Sequence, residues 1–392
     1  MSDRKEDFER LMLLAQRQPA ATRRALWGVL KQESQAGKKW QVNLSRFWSR
    51  FASADELSQL RVHFKDSAIS EELERELLAW HSRGISILCL GQSNYPSCLA
   101  EIQDPPLILF TQGNLSLLQQ ELVAIIGARN AEPFSLKFAS DLARAVVAQG
   151  LVVVSGLATG VDSAAHRATC NTSIGCGATI AVLGSGHFNI YPRTNQKLFE
   201  EILACGGLVL SQFEPETAPR RFQFVDRNRV IATLAKAVCL VQAAEGSGSL
   251  GTAEFALQAG RDIYVMPGDL RNKNFAGSYQ LLKQGATLLT DSRDLVETFS
   301  QKKWAASLLE SQDQSEKGVR EGSKLRLVVE SSRFGSIARE LLAALGKNPS
   351  MLLQDLYSCI SDPAGLHVTL IELELAGVIT RGSGGRVTLV DY

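Results

Sequence analysis

The sequence predicts an α/β protein whose main domain is a doubly wound parallel β-sheet. Between about residues 117 and 297, short runs rich in Val, Ile and Leu alternate with amphipathic stretches. The runs lack polar alternation, which is typical of strands buried on both faces of a parallel sheet. Most of them lead into glycine, as at Gly127, Gly156 and Gly184, so we expect tight turns at the carboxyl edge, where such sheets bind ligands.

These runs define the strands and helices of a Rossmann-like core. Strands are expected at 122–126, 151–154, 179–183, 208–210, 237–241, 263–266 and 287–289. Helical patterns lie between them at 135–149, 195–205 and 252–260. In residues 85–115, by contrast, Tyr95-Pro96 and Asp104-Pro105-Pro106 predict extended or turn geometry.

Smaller modules flank this core. The predicted domains are an N-terminal helical module at 1–84, the core at 85–299, a polar linker at 300–333 and a winged-helix domain at 334–392. Residues 1–60 carry a net charge of +4, which indicates a solvated face or, less simply, contact with a phosphate backbone. Residues 349–392 carry −3, which favours contact with protein over contact with DNA.

Composition excludes several classes of protein. With 42 basic and 41 acidic side chains, any anion site must be a local patch. No apolar run is long enough to span a membrane, and the charged N-terminus lacks the apolar core of a signal peptide. Seven cysteines without a CxxC motif predict neither a disulfide framework nor a zinc site. We therefore expect a cytoplasmic protein without a metal or another cofactor.

Two turns after strands carry candidate anion-binding groups. Gly127-Ala128-Arg129 delivers a guanidinium to the carboxyl edge, although an arginine there is often only a surface ion-pair partner. The second turn begins at Ser155-Gly156 and opens a helix, so its backbone N–H groups favour an anion. Asp162 suits the first turn of that helix, and His166 is either a core residue or a site residue.

A third turn, from Gly246 to Thr252, spells G-x-G-x-x-G, and Asp269 follows near the spacing of a ribose-binding acid. Taken alone, this motif indicates a dinucleotide. It lies on a late strand, however, whereas the dinucleotide fingerprint usually opens its domain. The loop, with Ser247, Gly248 and Ser249 at its centre, remains a good cradle for phosphate.

The fourth segment, residues 220–229, contains four arginines, one aspartate and two phenylalanines. Arginines for phosphates and aromatic faces for unstacked bases are what single-stranded nucleic acid requires. The sequence has no Walker A loop, no G-x-S-x-G elbow and no H-E-x-x-H motif, so none of these three kinds of catalytic site is expected. The residues alone therefore predict an α/β protein that binds an anionic, single-stranded nucleic acid.

Read in order, these segments resemble the DprA/Smf family (DNA-processing protein A). The resemblance covers residues 95–295, and its motifs are specific in combination. They are VAIIGAR at 123–129, VSGLATGVDSAAH at 154–166, IAVLGSG at 180–186 with Tyr191-Pro192, RNRVI at 227–231, SGSLGTA at 247–253, Pro267-Gly268 and Gly285-Ala286. The SAM/HhH-like helical N-terminus and the C-terminal winged helix fit the common three-part arrangement of the family.

The resemblance implies a homodimer that binds single-stranded DNA, protects it and loads the RecA recombinase during natural transformation, without catalysis. It assigns phosphate contacts to Arg129, Arg227 and Arg229 and base stacking to Phe224. Each phosphate contact is expected to contribute roughly one unit to the salt slope of binding. The full set of DNA-binding residues is Gly127, Ala128, Arg129, Ser155, Gly156, Phe224, Arg227, Asn228, Arg229, Ser247, Gly248, Ser249 and Thr252.

Three positions depart from the family pattern: Ala128 replaces a usual Ser, Gln212 a Glu and Tyr279 an Asn. The main alternative is a nucleotide-hydrolysing enzyme, similar to phosphoribohydrolases, whose motif ends in a glutamate. Glu254 falls one residue before that position, which rotates its carboxylate by about 100° on a helix. A dinucleotide-binding oxidoreductase is a further alternative.

Overall fold

The computed structural model describes most of the first three quarters of the chain and parts of the remainder. The described residues are 2–18, 26, 67–172, 177–295, 299, 335–347, 350–360, 366, 369–371, 373–374, 379–382 and 386–389. The chain divides into two compact units, Met1–Val296 and Glu297–Tyr392. The predicted linker at 300–333 lies outside the described residues.

The first unit is built on a nine-stranded sheet. Its strands are β1 (Ile85–Cys89), β2 (Ile108–Gly113), β3 (Leu122–Ile126), β4 (Val152–Ser155), β5 (Thr179–Leu183), β6 (Leu208–Ser211), β7 (Ala237–Leu240), β8 (Asp262–Val265) and β9 (Thr287–Leu288). Their spatial order is β1-β2-β6-β5-β4-β3-β7-β8-β9. From β6 to β9 all neighbours are parallel, which confirms the predicted doubly wound core.

The strand order reverses at β3. The chain first runs outward through β4, β5 and β6, then returns to place β7 on the other side of β3. Val123 of β3 pairs with Val153 of β4 and with Ala237 of β7. Open α/β sheets bind ligands at such a switch point, beyond the carboxyl ends of the strands.

Two strands extend the sheet beyond its parallel part. The segment at 85–115, predicted to be extended or turn, forms β1 and β2, and β2 pairs antiparallel with both β1 and β6. Tyr95-Pro96 and the prolines at 105–106 lie in the connection between the two strands, where no sheet hydrogen bond is needed.

In the described part of the first unit, two α-helices precede β1, one lies between β1 and β2, and the others alternate with the strands from β3 onward. They are α1 (Ser2–Gln16), α2 (Ser67–Ser82), α3 (Ser97–Ala100), α4 (Pro133–Ala148), α5 (Val161–Cys170), α6 (Gln196–Ala204), α7 (Arg221–Leu234), α8 (Gly248–Gln258) and α9 (Ala276–Lys283). Alternate residues of β5 face opposite layers: Ile180 and Val182 belong to the core that α7 and α8 share, whereas Ala181 and Leu183 pack with α6. Both faces of the sheet are therefore covered.

The N-terminal helices lie against the outer strands. Trp80 of α2 is buried edge-on against Phe110 of β2, with ring centroids 5.4 Å apart. Its indole Nε1 donates to Glu216 at 2.9 Å. Arg17, which follows α1, pairs with both Glu76 and Glu214. These contacts join the N-terminal helices to the segment that follows β6.

The second unit combines helices with a small antiparallel sheet, and the winged-helix domain expected at 334–392 stays a prediction. Helices α10 (Gly335–Lys347) and α11 (Leu353–Cys359) accompany a three-stranded antiparallel sheet of β10 (Ser350–Leu352), β11 (Ile379–Gly382) and β12 (Arg386–Leu389), in the order β10-β12-β11. Its core includes Leu341, Leu356, Leu370 and Val387. Residues 366, 369–371 and 373–374 are helical, as predicted for this part of the domain.

Candidate nucleic-acid interface

The turns after β3, β4 and β7 meet at the switch point. The backbone N–H of Val161, at the start of α5, donates to Ala128 O at 3.2 Å. From the other side, Ser249 Oγ donates to Gly127 O at 3.0 Å. Gly127 itself is required by packing, because an added Cβ would lie 2.7 Å from Val161 Cγ2. Three separately predicted turns therefore form one continuous edge.

The turn after β4 is held by a buried carboxylate. Asp162 accepts hydrogen bonds from the backbone N–H groups of Gly156 (3.1 Å) and Ala158 (3.3 Å). Burial raises the pKa of Asp162, and the nearby Arg227 opposes that shift. Ser155 is also buried, and its Oγ donates to Ile125 O at 2.6 Å. The side chains of this turn thus point inward and fix its backbone.

Arg227 is buried, with only 5% of the residue exposed. Its Nη1 donates to Gly156 O and, at 2.9 Å, to Val182 O, while its Nε donates to Asn228 Oδ1 at 3.1 Å. Burial lowers the pKa of Arg227 to about 10, so it is still charged at neutral pH. Its donors are therefore directed at the ends of β4 and β5 and at its own helix.

An aromatic pair lies beside this charge. Phe224, half-buried on α7, has its ring centroid 5.5 Å from that of Tyr191. The guanidinium carbons of Arg129 and Arg227 lie 5.8 and 5.7 Å from the Phe224 centroid. Arg129 and Tyr191 are exposed, so this side of the ring borders solvent. Gly184 makes room for the ring, since a Cβ there would lie 2.6 Å from Phe224 Cδ1.

The turn after β7 is open. Ser247 caps α8, with its Oγ accepting from Ser249 N at 3.3 Å. Gly248 is exposed, and nothing lies within 4 Å of the position of an added Cβ there. Asn228 Nδ2 donates to Gly248 O at 3.3 Å and so links this turn to α7. The first backbone N–H groups of α8 therefore face an accessible region, a favourable place for an anion.

Two of the predicted residues lie apart from this cluster. Arg229 is two positions beyond Arg227 on α7, about 200° around the helix, and acts electrostatically on the buried Tyr95. Thr252 is buried within α8. Arg220 and Arg221, which belong to the predicted binding segment 220–229 without an individual assignment, are exposed at the start of α7.

Tyr191 is the residue that sequence reasoning missed at this cluster. It was part of a recognised motif but was given no role. It could have been found in the sequence, because it is an aromatic residue with a polar tip that follows shortly after a strand ending at the binding edge.

His166 is a core residue. Thr179 Oγ1 donates to Val153 O (3.2 Å), so its oxygen accepts from His166 Nδ1–H at 2.7 Å, which leaves Nε2 as the unprotonated nitrogen. Burial, with a smaller effect of Arg227, lowers the pKa of His166 to about 3. His187 is likewise buried, and its pKa falls to about 4. Both imidazoles are neutral at physiological pH.

The three departures from the family pattern have structural neighbours. Ala128 is half-buried, and its backbone oxygen accepts from the N–H of Val161. Gln212 offers its backbone oxygen to Gln16 Nε2 at 2.8 Å, which uses no side-chain atom of Gln212. The Tyr279 hydroxyl accepts from Gly268 N at 3.2 Å and donates to Gly268 O, and so it holds the turn after β8.

Within the described ranges, no group of three or more His, Cys, Asp or Glu side chains is placed to hold a metal ion. No helix that the structure describes is both long and apolar enough to cross a membrane.

Comparison with known proteins identifies relatives. Residues 86–300 match the model of the family described as DNA recombination-mediator protein A. DNA processing protein DprA of Bacillus subtilis is 35% identical over 245 residues, which span 60% of this chain and 81% of the relative. DprA of Streptococcus pneumoniae is 38% identical over 205 residues, 52% of this chain and 71% of the relative.

Two solved structures are similar. The crystal structure of DprA from Streptococcus pneumoniae has a TM-score of 0.57 and 29% identity, and the match covers 74% of this chain and 97% of that one. DNA processing protein A from Helicobacter pylori, described for its single-stranded DNA binding mode, has a TM-score of 0.50 and 32% identity. That match covers 56% of this chain and 96% of the other.

Proposed function

Since the chain belongs to the DNA recombination-mediator protein A family, we propose that it binds single-stranded DNA at the switch point of its sheet. The observation that carries this proposal is the ring of Phe224, flanked by Tyr191 and bordered by the exposed guanidinium of Arg129. An aromatic face beside an exposed positive charge suits an unpaired base and its phosphate. Paired bases would keep their faces inside the duplex.

On this proposal, different groups at the binding edge contact different parts of the DNA. Phe224 and Tyr191 stack bases, Arg129 neutralises a phosphate, and the backbone at Gly248 and Ser249 receives a second anionic oxygen. Arg220 and Arg221, exposed at the start of α7, extend the positive surface. Arg227 is a positioning residue: it holds the turn after β4 and the end of β5 beside Phe224, because its Nη1 donates to Gly156 O and to Val182 O.

The finer functional role also follows the family. We infer that the protein acts as a homodimer in the cytoplasm, delivers single-stranded DNA to the RecA recombinase during natural transformation, and catalyses no reaction. The absence of a catalytic motif in the sequence and the inward direction of Asp162, His166 and Arg227 support a binding role.

The test is binding of fluorescent single-stranded and double-stranded oligonucleotides across a salt series. We expect a strong preference for the single strand. Phe224→Ala should weaken binding by about 5- to 150-fold, because one stacked base contributes about 1–3 kcal/mol. Arg129→Ala should weaken binding and also reduce the salt slope by about 0.7, the value for one phosphate of a single strand.

Two variants serve as controls. Phe222→Ala removes an exposed phenylalanine that points about 200° away from Phe224 on the same helix. Arg144→Ala removes an exposed arginine whose ion pair, with Asp141, lies within α4. Both should bind as wild type. Equal affinity for single and double strands, or turnover of a nucleotide by the pure protein, would contradict the proposal and favour the phosphoribohydrolase-like alternative.

A further inference from the structure

Two thiols face each other at the far ends of neighbouring helices. Cys170 is the last residue of α5, and Cys205 caps the end of α6. Their sulfur atoms are 3.0 Å apart, and Cys205 Sγ also lies 3.3 Å from Ile202 O. A disulfide has a sulfur–sulfur distance of about 2.0 Å, so a bond between them requires closure by only about 1 Å.

The thiols differ from the core cysteines in access. Cys89 and Cys239 are fully buried in strands, whereas Cys170 and Cys205 are only half-buried. This pair is therefore more accessible to a small reagent than the core cysteines are, and thiol exchange depends on access.

The helix pair that carries them is already joined at two other places. At the start of α6, Asn195 Nδ2 donates to Leu157 O and to Ser163 Oγ. Near its middle, Arg167 pairs with Glu201 at 3.2 Å. These links keep the two helices in register, so the sulfurs are held at a fixed separation rather than meeting by chance motion of a loop.

We propose that Cys170 and Cys205 form a site of reversible oxidation, at which a low-molecular-weight disulfide converts the two thiols into a cross-link between α5 and α6. One protein thiolate attacks the small disulfide, which gives a mixed disulfide and releases one small thiol. The second thiolate attacks the protein sulfur of that mixed disulfide and releases the other small thiol. The protein thus loses two protons and two electrons, and the small disulfide gains them.

The cross-link stabilises this half of the core and leaves the DNA edge unchanged. The disulfide closes a loop of about 35 residues. We expect this closure to raise the melting temperature of the first unit by about 4–8 °C. The sulfurs lie at the opposite end of α5 from the turn at Gly156, about 15 Å along the helix axis. Small movements of the sulfurs should therefore not reach Phe224 or Arg129.

The experiment treats the full chain with oxidised glutathione, quenches it by alkylation and maps peptides by mass spectrometry. We expect a Cys170–Cys205 peptide, a melting temperature higher by about 4–8 °C and single-stranded DNA affinity within twofold of the untreated protein. A reductant should remove the cross-linked peptide from the map and return the melting temperature to that of the untreated protein. A treated protein with only glutathione adducts, or with either cysteine joined to another partner such as Cys176, would overturn the proposal.

Matched variants separate this site from general thiol chemistry. Cys170→Ser and Cys205→Ser should each abolish the oxidant-induced shift, whereas Cys98→Ser, at another half-buried cysteine, should retain it. Cys176→Ser should also retain it. The peptide map is made on the wild-type protein, so it decides whether the Cys170–Cys205 cross-link forms even if a variant folds poorly. The map does not depend on whether the protein binds DNA.

Discussion

The two sides of the binding edge use the same small residues for opposite purposes. On the side of β4 and β5, added Cβ atoms at Gly156, Gly160 and Gly184 would collide with Arg227, with the backbone at Ala128 or with Phe224. We call this the crowded side. On the open side, after β7, Gly248 and Gly251 have no atom within 4 Å of the added Cβ position.

The comparison shows what each turn contributes. On the crowded side, glycine is needed because the protein itself occupies the space, and charges such as Asp162 and Arg227 are used to hold the backbone. On the open side, glycine leaves the backbone of α8 accessible to something outside the chain. A glycine-rich motif in a sequence does not distinguish these two uses.

The largest effect should come from the buried charge of the crowded side. Arg227→Ala removes the donors to Gly156 O and Val182 O and leaves Asp162 without its compensating positive charge. We expect the free energy of unfolding to fall by about 3–5 kcal/mol, as when one partner of a buried charge pair is removed. Urea denaturation measures this. Arg221→Ala, exposed on the same helix, should change it by less than about 0.5 kcal/mol; similar losses for both would refute the structural role of Arg227.

A pair of glycine variants tests the comparison directly. Gly156→Ala forces a methyl group into the Arg227 guanidinium and should cost about 1–3 kcal/mol, the usual penalty for overpacking. Gly251→Ala adds its methyl group to open space inside α8 and should stabilise the protein by up to about 1 kcal/mol. Thermal denaturation of both proteins gives the two signs. If Gly251→Ala were as harmful as Gly156→Ala, the open side would be packed after all.

Acid should weaken the core on the crowded side. The pKa values of His166 and His187 lie at about 3 and 4, whereas histidine in an unfolded chain titrates near 6.5. As pH falls below 6.5, these histidines bind protons in the unfolded chain but not in the native protein, so the free energy of unfolding decreases. Two such groups account for a loss of about 3–4 kcal/mol between pH 7 and pH 5, reduced in part by Asp162, whose raised pKa acts in the opposite direction.

Denaturant titrations at several pH values measure this slope. His187→Gln should reduce it by about half. His81→Gln, at an exposed histidine of α2, should leave it unchanged. A free energy of unfolding that is constant from pH 7 to pH 5 would contradict the assignment of two neutral, buried imidazoles.

The smallest change should come from the hydrogen bond that joins the open side to the turn after β3. Ser249→Ala removes the hydrogen bond from Ser249 Oγ to Gly127 O, and a bond of this kind contributes about 0.5–1.5 kcal/mol. Ser292→Ala, whose hydroxyl bonds only weakly to its neighbour Asp291 at 3.4 Å, serves as the control. Calorimetry resolves a difference of this size. An effect no larger than that of the control would mean that the turn after β7 holds its position without this bond.

Most of the fold followed from local patterns. The apolar runs predicted every parallel strand, because a strand covered on both faces needs apolar residues throughout, although β9 is exposed. The strands β1 and β2 did not follow, since their place depends on pairing between β2 and a distant β6. Flanking prolines made that segment resemble a loop.

The site was predictable in position but less so in the direction of its side chains. Turns after parallel strands must meet at one edge, and those containing Arg129, Gly156 and Ser249 do meet. Burial is a different matter, because it depends on which face of α7 packs on the sheet. The charges of Arg227 and Arg229 look equivalent in sequence, yet one lies in the core beside Asp162 and the other lies near Tyr95.

The antiparallel pairing of β2 has a consequence for how the chain is made. Phe110 pairs with Ser211, so the first strands leave the ribosome about 100 residues before their neighbour exists. During that interval β1 and β2 can pair only with each other, with one edge unsatisfied and with α2 as their cover. The N-terminal helices thus cover the paired strands β1 and β2 during synthesis. Shortening these helices should increase aggregation during synthesis more than it changes the finished sheet.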